Sequence, residues 1–175
     1  MPDESTAPDP DFQDLVEAWY SPLYRFAYSL AGNEFEAADL TQDTFLIWAR
    51  KGESLRDPAK SKSWLFTTLY REFLRQRKRG SRITPQEPDV LSAISPTIPP
   101  NQIRELDASL AVDALAEIDP IFREPITLFY LEDFSYKEIA ETLDLPIGTV
   151  MSRLSRGKEQ LKSVLLKNHG IISPE

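Results

Sequence analysis

Residues 134–156 read FSYKEIAETLDLPIGTVMSRLSR, and this stretch decides the fold of the carboxy-terminal half. Ser135 and Glu138 have the spacing of a capping box, in which a hydroxyl and a carboxylate each satisfy a backbone N–H at a helix start. Pro146 disfavours helical backbone at the residue before it, so one helix ends there and a second follows. Two short helices joined by a tight turn, the second one basic, are typical of a DNA-reading helix-turn-helix.

The second of these helices has two distinct faces at about 100° per residue. The side predicted to pack on the domain holds Val150, Leu154, Gly157 and Leu161. The sector predicted to stay exposed holds Thr149, Ser152, Arg153, Arg156 and Gln160. Arginine offers paired donors to guanine, and serine and threonine reach phosphates or base edges. The alternative is an ordinary helical hairpin with a solvated basic face.

Apolar residues recur at helical spacing through most of the chain, and no alternating strand pattern occurs. One stripe runs over residues 12–30, with Ser21-Pro22 as a cap and first-turn pair for its second part. Further helices are predicted from Asn33 to about Arg50 and from Asp57-Pro58 to about Arg79, and Pro125 is expected to disturb a later one. We therefore predict an all-α fold.

Residues 80–103 differ in composition from the rest of the chain. They hold five of the fourteen prolines, together with Ser, Thr and Gln. Such a composition indicates an extended linker. We therefore expect two small helical domains, residues 11–80 and residues 104–168, joined by a flexible linker at 81–103. The helix-turn-helix lies in the second domain.

The composition excludes most catalytic chemistry. Among 175 residues there is no cysteine, and His169 is the only histidine. Thiolate chemistry, a cysteine zinc site, a histidine metal cluster and a serine–histidine relay are therefore not expected. We predict that the chain is not an enzyme and needs no cofactor, metal or small-molecule substrate. It has no apolar leader and no apolar run of about 18 residues, so we expect a cytoplasmic protein without membrane insertion.

Charge is distributed unevenly along the chain. The formal net charge is −8, yet residues 50–82 carry eleven bases and three acids, and residues 151–175 carry five bases and two acids. Residues 1–49, by contrast, carry ten acids and one base. The net charge argues against free-standing, indiscriminate binding to DNA, but the two basic patches reverse that impression locally. The alternative is a solvated helix end and a basic C-terminal turn.

The first basic patch forms a stripe on the predicted third helix, at Trp64, Thr68, Arg71, Arg75 and Lys78. Arg77, Arg79 and Arg82 extend it. An aromatic residue followed by a line of cations suits distorted or single-stranded DNA. The alternative is that Trp64 belongs to the core and the arginines complement the helix dipole.

Both halves together resemble an extracytoplasmic-function sigma factor of the sigma-70 family, over roughly residues 11–166. Residues 33–46 (NEFEAADLTQDTFL) are similar to the family signature D-A-E-D-L-x-Q-E-T-F-L. Residues 63–66 (SWLF) resemble its W-L-[YF] motif, and residues 75–79 resemble its closing arginine run. The family's helix-turn-helix is matched almost residue for residue at 134–140, Leu143, 145–150, 153–154 and Arg156.

This resemblance implies a role for each group of residues. Asp39, Gln42 and Asp43 would dock on the clamp helices of the RNA polymerase β′ subunit. The promoter's −10 element would be engaged and opened by Trp64, Arg71, Arg75, Lys78 and Arg79. Its −35 element would be read by Thr149, Ser152, Arg153 and Arg156. Family habit also suggests an anti-sigma factor as a partner.

The chain departs from the family pattern at three positions. Arg71 and Arg75 stand where the family often has Asn and Asp, so the −10 preference of other members does not transfer. Gly157 stands where Ala is common, and by helix propensity it should weaken the helix by about 1 kcal/mol.

Two other functions are compatible with parts of the pattern. A sigma mimic that sequesters an anti-sigma factor should have lost its DNA-facing arginines, which this chain keeps. A conventional helix-turn-helix repressor or activator would not need Asp39 and Gln42, and it would normally read palindromes as a dimer.

Overall fold

The computed structural model describes residues 10–51, 58–80 and 108–169. These ranges contain seven α-helices, one 3-10 turn (Pro58–Lys60) and no strand. The helices are α1 (Pro10–Ala31), α2 (Glu34–Lys51), α3 (Ser61–Gly80), α4 (Ala108–Ala116), α5 (Pro120–Tyr130), α6 (Tyr136–Leu143) and α7 (Ile147–His169). The predicted all-α class is confirmed. The predicted linker at 81–103 lies outside the described residues.

Helix α1 continues through Pro22, so the break expected at Ser21-Pro22 was wrong. Proline removes one helical hydrogen bond, but the side chains of Leu23 and Phe26 on the next turn are fully buried and hold the helix in place. The helix ends at Gly32, whose φ of 77° suits glycine and whose N–H bonds the Tyr28 carbonyl at 2.9 Å.

The first domain is a bundle of α1, α2 and α3 around a largely apolar core. Its largest fully buried side chains are Leu23, Phe26, Leu40, Leu65, Phe66 and Leu69. Asn33 caps α2, because its Oδ1 accepts the Glu36 N–H at 2.9 Å. This packing sets α2 and α3 side by side, each with one long face turned away from the core.

The second domain comprises α4 to α7. Asp119 caps α5 by accepting the Ile121 N–H at 3.2 Å. Pro125, which was expected to disturb the first turns of α5, is buried within it, and the helix continues through it from Pro120 to Tyr130; Phe122 and Ile126 bury their side chains on the same helix. Arg123 stabilises the connection between α4 and α5. It donates hydrogen bonds to the carbonyls of Ala116 and Ile118 at 2.9 and 2.7 Å.

The two domains pack against each other, which no sequence pattern predicts. The rings of Phe66 on α3 and Phe134 before α6 lie with centroids 5.0 Å apart, and both are buried. Beside them, Nε and Nη2 of Arg25 each lie 3.1 Å from Oε1 of Glu132, and Lys62 donates to the Glu132 carbonyl. The two cores are therefore continuous across the junction.

Candidate nucleic-acid interface

The helix-turn-helix begins with the capping box expected from the sequence. The Ser135 N–H donates to Oε2 of Glu138 at 2.8 Å, and the Glu138 N–H donates to Oγ of Ser135 at 3.2 Å. The hydrogen bonds from Ser135 hold the pKa of Glu138 below its usual value. Both groups satisfy donors at the start of α6, and this fixes where α6 begins.

The turn between α6 and α7 is made by Asp144 in the left-handed conformation, with φ 53° and ψ 52°. Aspartate tolerates this region better than most residues. Its N–H closes α6 on the Ala140 carbonyl, which also accepts the Leu145 N–H at 3.0 Å. Helix α7 then starts beyond Pro146, as the sequence predicts.

The close seating of α7 on the domain requires Gly157. A Cβ at this position would lie 2.6 Å from Cγ1 of Ile126 and 3.2 Å from Cβ of Phe122. Val150, Leu154 and Leu161 are buried along the same side, as expected. Gly157 is therefore needed for α7 to pack closely against α5. Its low helix propensity does not by itself explain its presence at this position.

The residues predicted to face DNA on α7 differ in the contacts that they make within the protein. Thr149, Ser152, Arg153 and Arg156 are each partly exposed. The Ser152 hydroxyl donates back to the Thr149 carbonyl at 3.3 Å, so it is held against the helix. Gln160 does not belong to this sector, because its Oε1 accepts the Asp119 N–H at 3.1 Å and supports the start of α5.

Arg153 lies toward the first domain. Burial raises the pKa of Tyr70 and that of Glu124, and the nearby positive charge of Arg153 acts against both rises. One of the four predicted DNA-reading residues therefore lies close to the junction of the two domains.

The sequence analysis did not identify two exposed apolar side chains on α7. Ile147 and Met151 are each 52% exposed on the first two turns. Both lie outside the stripe that contains Val150 and Leu154, and this is the signal by which the sequence could have revealed them.

The cationic stripe on α3 is exposed. Arg71, Arg75, Lys78 and Arg79 all extend into solvent, and Arg75 forms an ion pair with Glu72. Phe66 and Tyr70, which face the second domain, lie on roughly the opposite side of α3 at about 100° per residue. Domain packing therefore leaves the predicted −10 surface accessible.

Trp64 differs from these four residues. Its ring packs edge-on against Trp48 of α2, with centroids 5.1 Å apart and planes at 80°, and it is half-buried. In this arrangement Trp64 supports the α2–α3 contact and presents only part of its surface to solvent.

The predicted docking residues lie on α2. Asp39 and Gln42 are exposed, and they share a face with Phe35 and Leu46, which are 90% and 54% exposed. Asp43 instead turns toward α3, where its Oδ2 accepts from Gln76 at 3.4 Å. Burial, followed by the charges of Asp39 and Glu72, raises the pKa of Asp43. The sequence analysis missed Phe35 and Leu46.

Among the described residues, no group of three metal-ligating side chains could hold an ion. None of the described helices is long and apolar enough to cross a membrane.

The chain matches two protein-family models in order. Residues 15–83 match Sigma-70 region 2, and residues 110–161 match Sigma-70, region 4. Among curated proteins it is 36% identical over 166 residues to the ECF RNA polymerase sigma factor SigE of Mycolicibacterium smegmatis, with 91% of this chain and 63% of that protein aligned. The chain thus spans less than two thirds of that relative.

Other relatives align over most of their own length. ECF RNA polymerase sigma factor EcfG of Rhodopseudomonas palustris is 30% identical, with 87% of this chain and 84% of that protein aligned. SigW of Bacillus subtilis is 27% identical, with 88% of each chain aligned.

Solved structures show the same fold. The sigma factor RpoE of Bartonella quintana, in complex with the anti-sigma factor NepR, superposes with a TM-score of 0.67 at 27% identity, covering 92% of this chain and all of that one. CnrH in complex with the cytosolic domain of CnrY gives a TM-score of 0.60 at 23% identity, with 90% and 88% covered. The family models, the similarity to EcfG and the shared fold show that the chain belongs to the extracytoplasmic-function sigma factors of the sigma-70 family.

Proposed function

We propose that this chain acts in the cytoplasm as a promoter-specificity subunit, bringing core RNA polymerase to particular promoters and helping to open the −10 element. The observation that carries the proposal is that one acidic chain presents cationic surfaces on α3 of one domain and α7 of the other. The role requires binding and positioning, and no chemical step by the chain itself.

The −35 element is assigned to α7. Arg156 and Arg153 supply paired donors for guanine or phosphate, and Ser152 lies between them and the helix start. The N-terminal residues of the second helix of a helix-turn-helix reach base edges, and the first helix crosses the backbone. The cap at Ser135 and the turn at Asp144 support this geometry.

The −10 element is assigned to the exposed stripe of α3. Arg71, Arg75, Lys78 and Arg79 present four positive charges along one side of the helix and its end. Cations of this kind bind the phosphates of distorted or single-stranded DNA. Trp64 stands at the start of the stripe and contributes its exposed edge.

Docking on the polymerase is assigned to the exposed face of α2. Asp39 and Gln42 provide charge and hydrogen bonds, and Phe35 and Leu46 provide apolar area on the same face. These four residues share one exposed face of α2 and form a single surface for the expected partner, the clamp helices of β′. Asp43 lies beside this surface, turned toward α3, where it accepts a hydrogen bond from Gln76.

Promoter binding requires the packed domains to separate. The −10 and −35 elements lie about 85 Å apart along B-DNA at 3.4 Å per base pair. A domain of this size is only about 25 Å across. The described ranges 58–80 and 108–169 are joined by 27 residues, a chain length that permits a separation of up to about 90 Å.

An anti-sigma factor is the proposed regulatory partner. The Bartonella quintana sigma factor, which superposes on 92% of this chain, was solved bound to such a protein. A partner that holds the domains in the packed arrangement would keep α7 from reaching its element.

The test is transcription in vitro with purified core polymerase on a library of genomic fragments. We expect initiation from a defined promoter set with the chain present, and weak DNA binding by the chain alone, since its net charge is −8. Strong specific DNA binding without polymerase would favour a conventional regulator. Absence of promoter-directed initiation would remove the proposal.

A matched pair of variants tests the docking surface. Asp39→Arg should abolish binding to core polymerase, because it reverses a charge in the surface. Glu17→Arg reverses an exposed charge on α1 and should leave core binding intact. Retained co-purification of the Asp39 variant with β′ would contradict the docking assignment.

A further inference from the structure

A cavity lies at the junction of the two domains, between α1 of the first and α4 and α5 of the second. Its volume is about 130 Å³, and an engineered protein cavity of roughly 150 Å³ holds one benzene molecule. The side chains that define its two sides are Arg25, Tyr28 and Ser29 of α1 and Val112, Leu115 and Arg123 of α4 and α5. Because both domains contribute, the site is complete only while they are packed.

The charged side chains that line this cavity are two arginines, Arg25 and Arg123. Among the described residues, no carboxylate lines it. Arg25 pairs with Glu132 at 3.1 Å, and 33% of its side chain remains exposed. Since the net charge of the chain is −8, the cavity is a local positive site in an acidic protein, and such a site attracts an anion.

Arg123 is half-buried and has donors to spare. Three of its five N–H groups donate to backbone carbonyls at 2.7 to 3.2 Å, one of them to the Ser29 carbonyl across the junction. Its Nε is buried and finds no acceptor among the described residues. Burial lowers the pKa of Arg123, although the charges of Asp119 and Glu124 act to raise it. A buried cation with an unmet donor is stabilised by an anion that accepts from it.

Much of the remaining lining is apolar. Val112, Leu115 and Leu131 contribute aliphatic side chains. A bare inorganic anion would leave these side chains without a partner, and a purely apolar molecule would leave the arginines without one. A carboxylate on a compact apolar body of about six carbon atoms matches both the volume and the mixed lining.

We propose that this cavity binds a small monocarboxylate with a compact apolar body, whose carboxylate accepts from Arg123 and faces Arg25, and that the bound molecule holds the two domains together. Because the site needs both domains, its ligand binds the packed arrangement and favours it by mass action. One consequence rests on the proposed function: such a ligand would lower promoter-directed initiation, since promoter binding requires separated domains.

Benzoate is the probe, and the experiment uses the full chain without polymerase. Saturation-transfer NMR measures the affinity for benzoate. Two matched probes are benzamide, which has the same ring without the charge, and inorganic phosphate, which has charge without the ring. We expect benzoate to bind with a Kd on the order of 1 mM. Benzamide and phosphate should each bind at least about ten-fold more weakly.

Energy transfer between dyes tests the link to domain packing. Ala49→Cys and Lys167→Cys place one dye on an exposed position of each domain. At ten times its Kd, benzoate should raise the equilibrium constant for the packed form about eleven-fold. Energy transfer should therefore be lost at higher urea concentration with benzoate, and benzamide at the same concentration should have little effect.

A pair of variants locates the binding site. Val112→Phe is chosen to fill the cavity with its own ring while leaving Arg123 in place, and it should weaken benzoate binding at least about ten-fold. Leu74→Phe adds the same ring at an exposed position on α3, outside the cavity, and should bind benzoate as wild type does. The comparison of the three probes on wild type needs neither variant to fold.

Four outcomes would overturn the proposal. They are the absence of saturable benzoate binding, equal affinity for benzamide, equal affinity for phosphate, and benzoate binding that is unchanged in a folded Val112→Phe variant. None of these measurements involves polymerase. Promoter-directed initiation by wild type therefore tests the proposed function separately from this site.

Discussion

The Tyr70 hydroxyl of α3 donates a hydrogen bond to Oε2 of Glu124 on α5 across the junction of the two domains, at 3.2 Å. Burial raises the pKa of Glu124 to about 7, although Tyr70, Arg153, Arg77 and Arg123 all act to lower it. Burial likewise raises the pKa of Glu132 in the same junction, against the charge of Arg25. Two buried carboxyl groups therefore lie at the junction, and burial makes both hold their protons more tightly than they would in water.

We expect the packed arrangement to loosen as the pH rises. A carboxyl group with a raised pKa in the packed state favours that state at low pH, and the advantage is lost as the pH rises through about 7. The separated fraction should therefore grow between about pH 4.5 and about pH 7 and level off above that. Because the chain has no cysteine, Ala49→Cys and Lys167→Cys provide two sites for dyes on exposed positions, one in each domain, and energy transfer reports the separation.

Glu124→Gln is the control for this pH dependence. The amide does not titrate, so its separated fraction should change less with pH than that of wild type. Equal pH dependence in both proteins would assign the effect to other groups.

Arg25→Ala should also shift the domains toward separation. It leaves the Glu132 carboxylate buried without its ion pair, and the shift should be about 1–3 kcal/mol. This is less than for a fully buried pair because 33% of the Arg25 side chain is exposed. The same pair of dyes measures it, and Arg50→Ala on the exposed end of α2 serves as the control. An unchanged separated fraction would show that the ion pair contributes nothing.

Replacing glycine by alanine should have opposite effects on the free energy of unfolding at two positions of α7. Gly157→Ala places a Cβ 2.6 Å from Ile126 and should destabilise the second domain by about 1–3 kcal/mol, despite the better helix propensity of alanine. Gly148→Ala meets nothing within 4 Å and should stabilise it by up to about 1 kcal/mol. Denaturant unfolding of the full chain measures both. Destabilisation that is equal in the two variants would contradict the packing argument.

Ser135→Ala should cost about 0.5–2 kcal/mol of unfolding free energy, because it removes the cap of α6. The pKa of Glu138 is lowered by its bonds to Ser135, so the capping contribution is present near neutral pH and is lost as the pH falls through that lowered pKa. The difference between wild type and variant should therefore shrink in acid. Ser163→Ala on the exposed side of α7 should have little effect, and a difference that does not depend on pH would contradict the role of Glu138.

Two basic residues should differ in how their loss affects promoter binding by holoenzyme. Arg156→Ala should lose about 1–3 kcal/mol of discrimination at one upstream base pair. Lys78→Ala should weaken binding to all sequences alike and lower the salt slope by about 1. Competition binding over a salt series separates the two effects, with Lys167→Ala as the control. Unchanged promoter choice in the Arg156 variant would contradict its assignment to the groove.

Local features of the fold could be read from the sequence because they depend on neighbouring residues. The Ser135–Glu138 cap, the start of α7 after Pro146 and the Asn33 cap of α2 each need only three or four residues and backbone geometry. The exposed positions of Asp39, Gln42 and Arg71 follow in the same way from helical periodicity.

Contacts between distant residues were decided by the tertiary structure alone. Periodicity places Asp43, Trp64 and Gln160 on a face, but whether a neighbouring helix covers that face depends on packing. The same holds for Gly157, whose propensity predicts a weaker helix and whose contact with Ile126 explains why no larger residue fits.

The sequence by itself determined the helices, the helix-turn-helix and the resemblance to sigma factors, because caps, turns and 3.6-residue periodicity are local properties. Only the tertiary structure decided that the domains pack together through Phe66 and Phe134 and that Arg153 lies toward the junction while Met151 stays exposed. These relationships join residues far apart in the chain, and their free energies come from burial and charge pairing, which a linear pattern does not record.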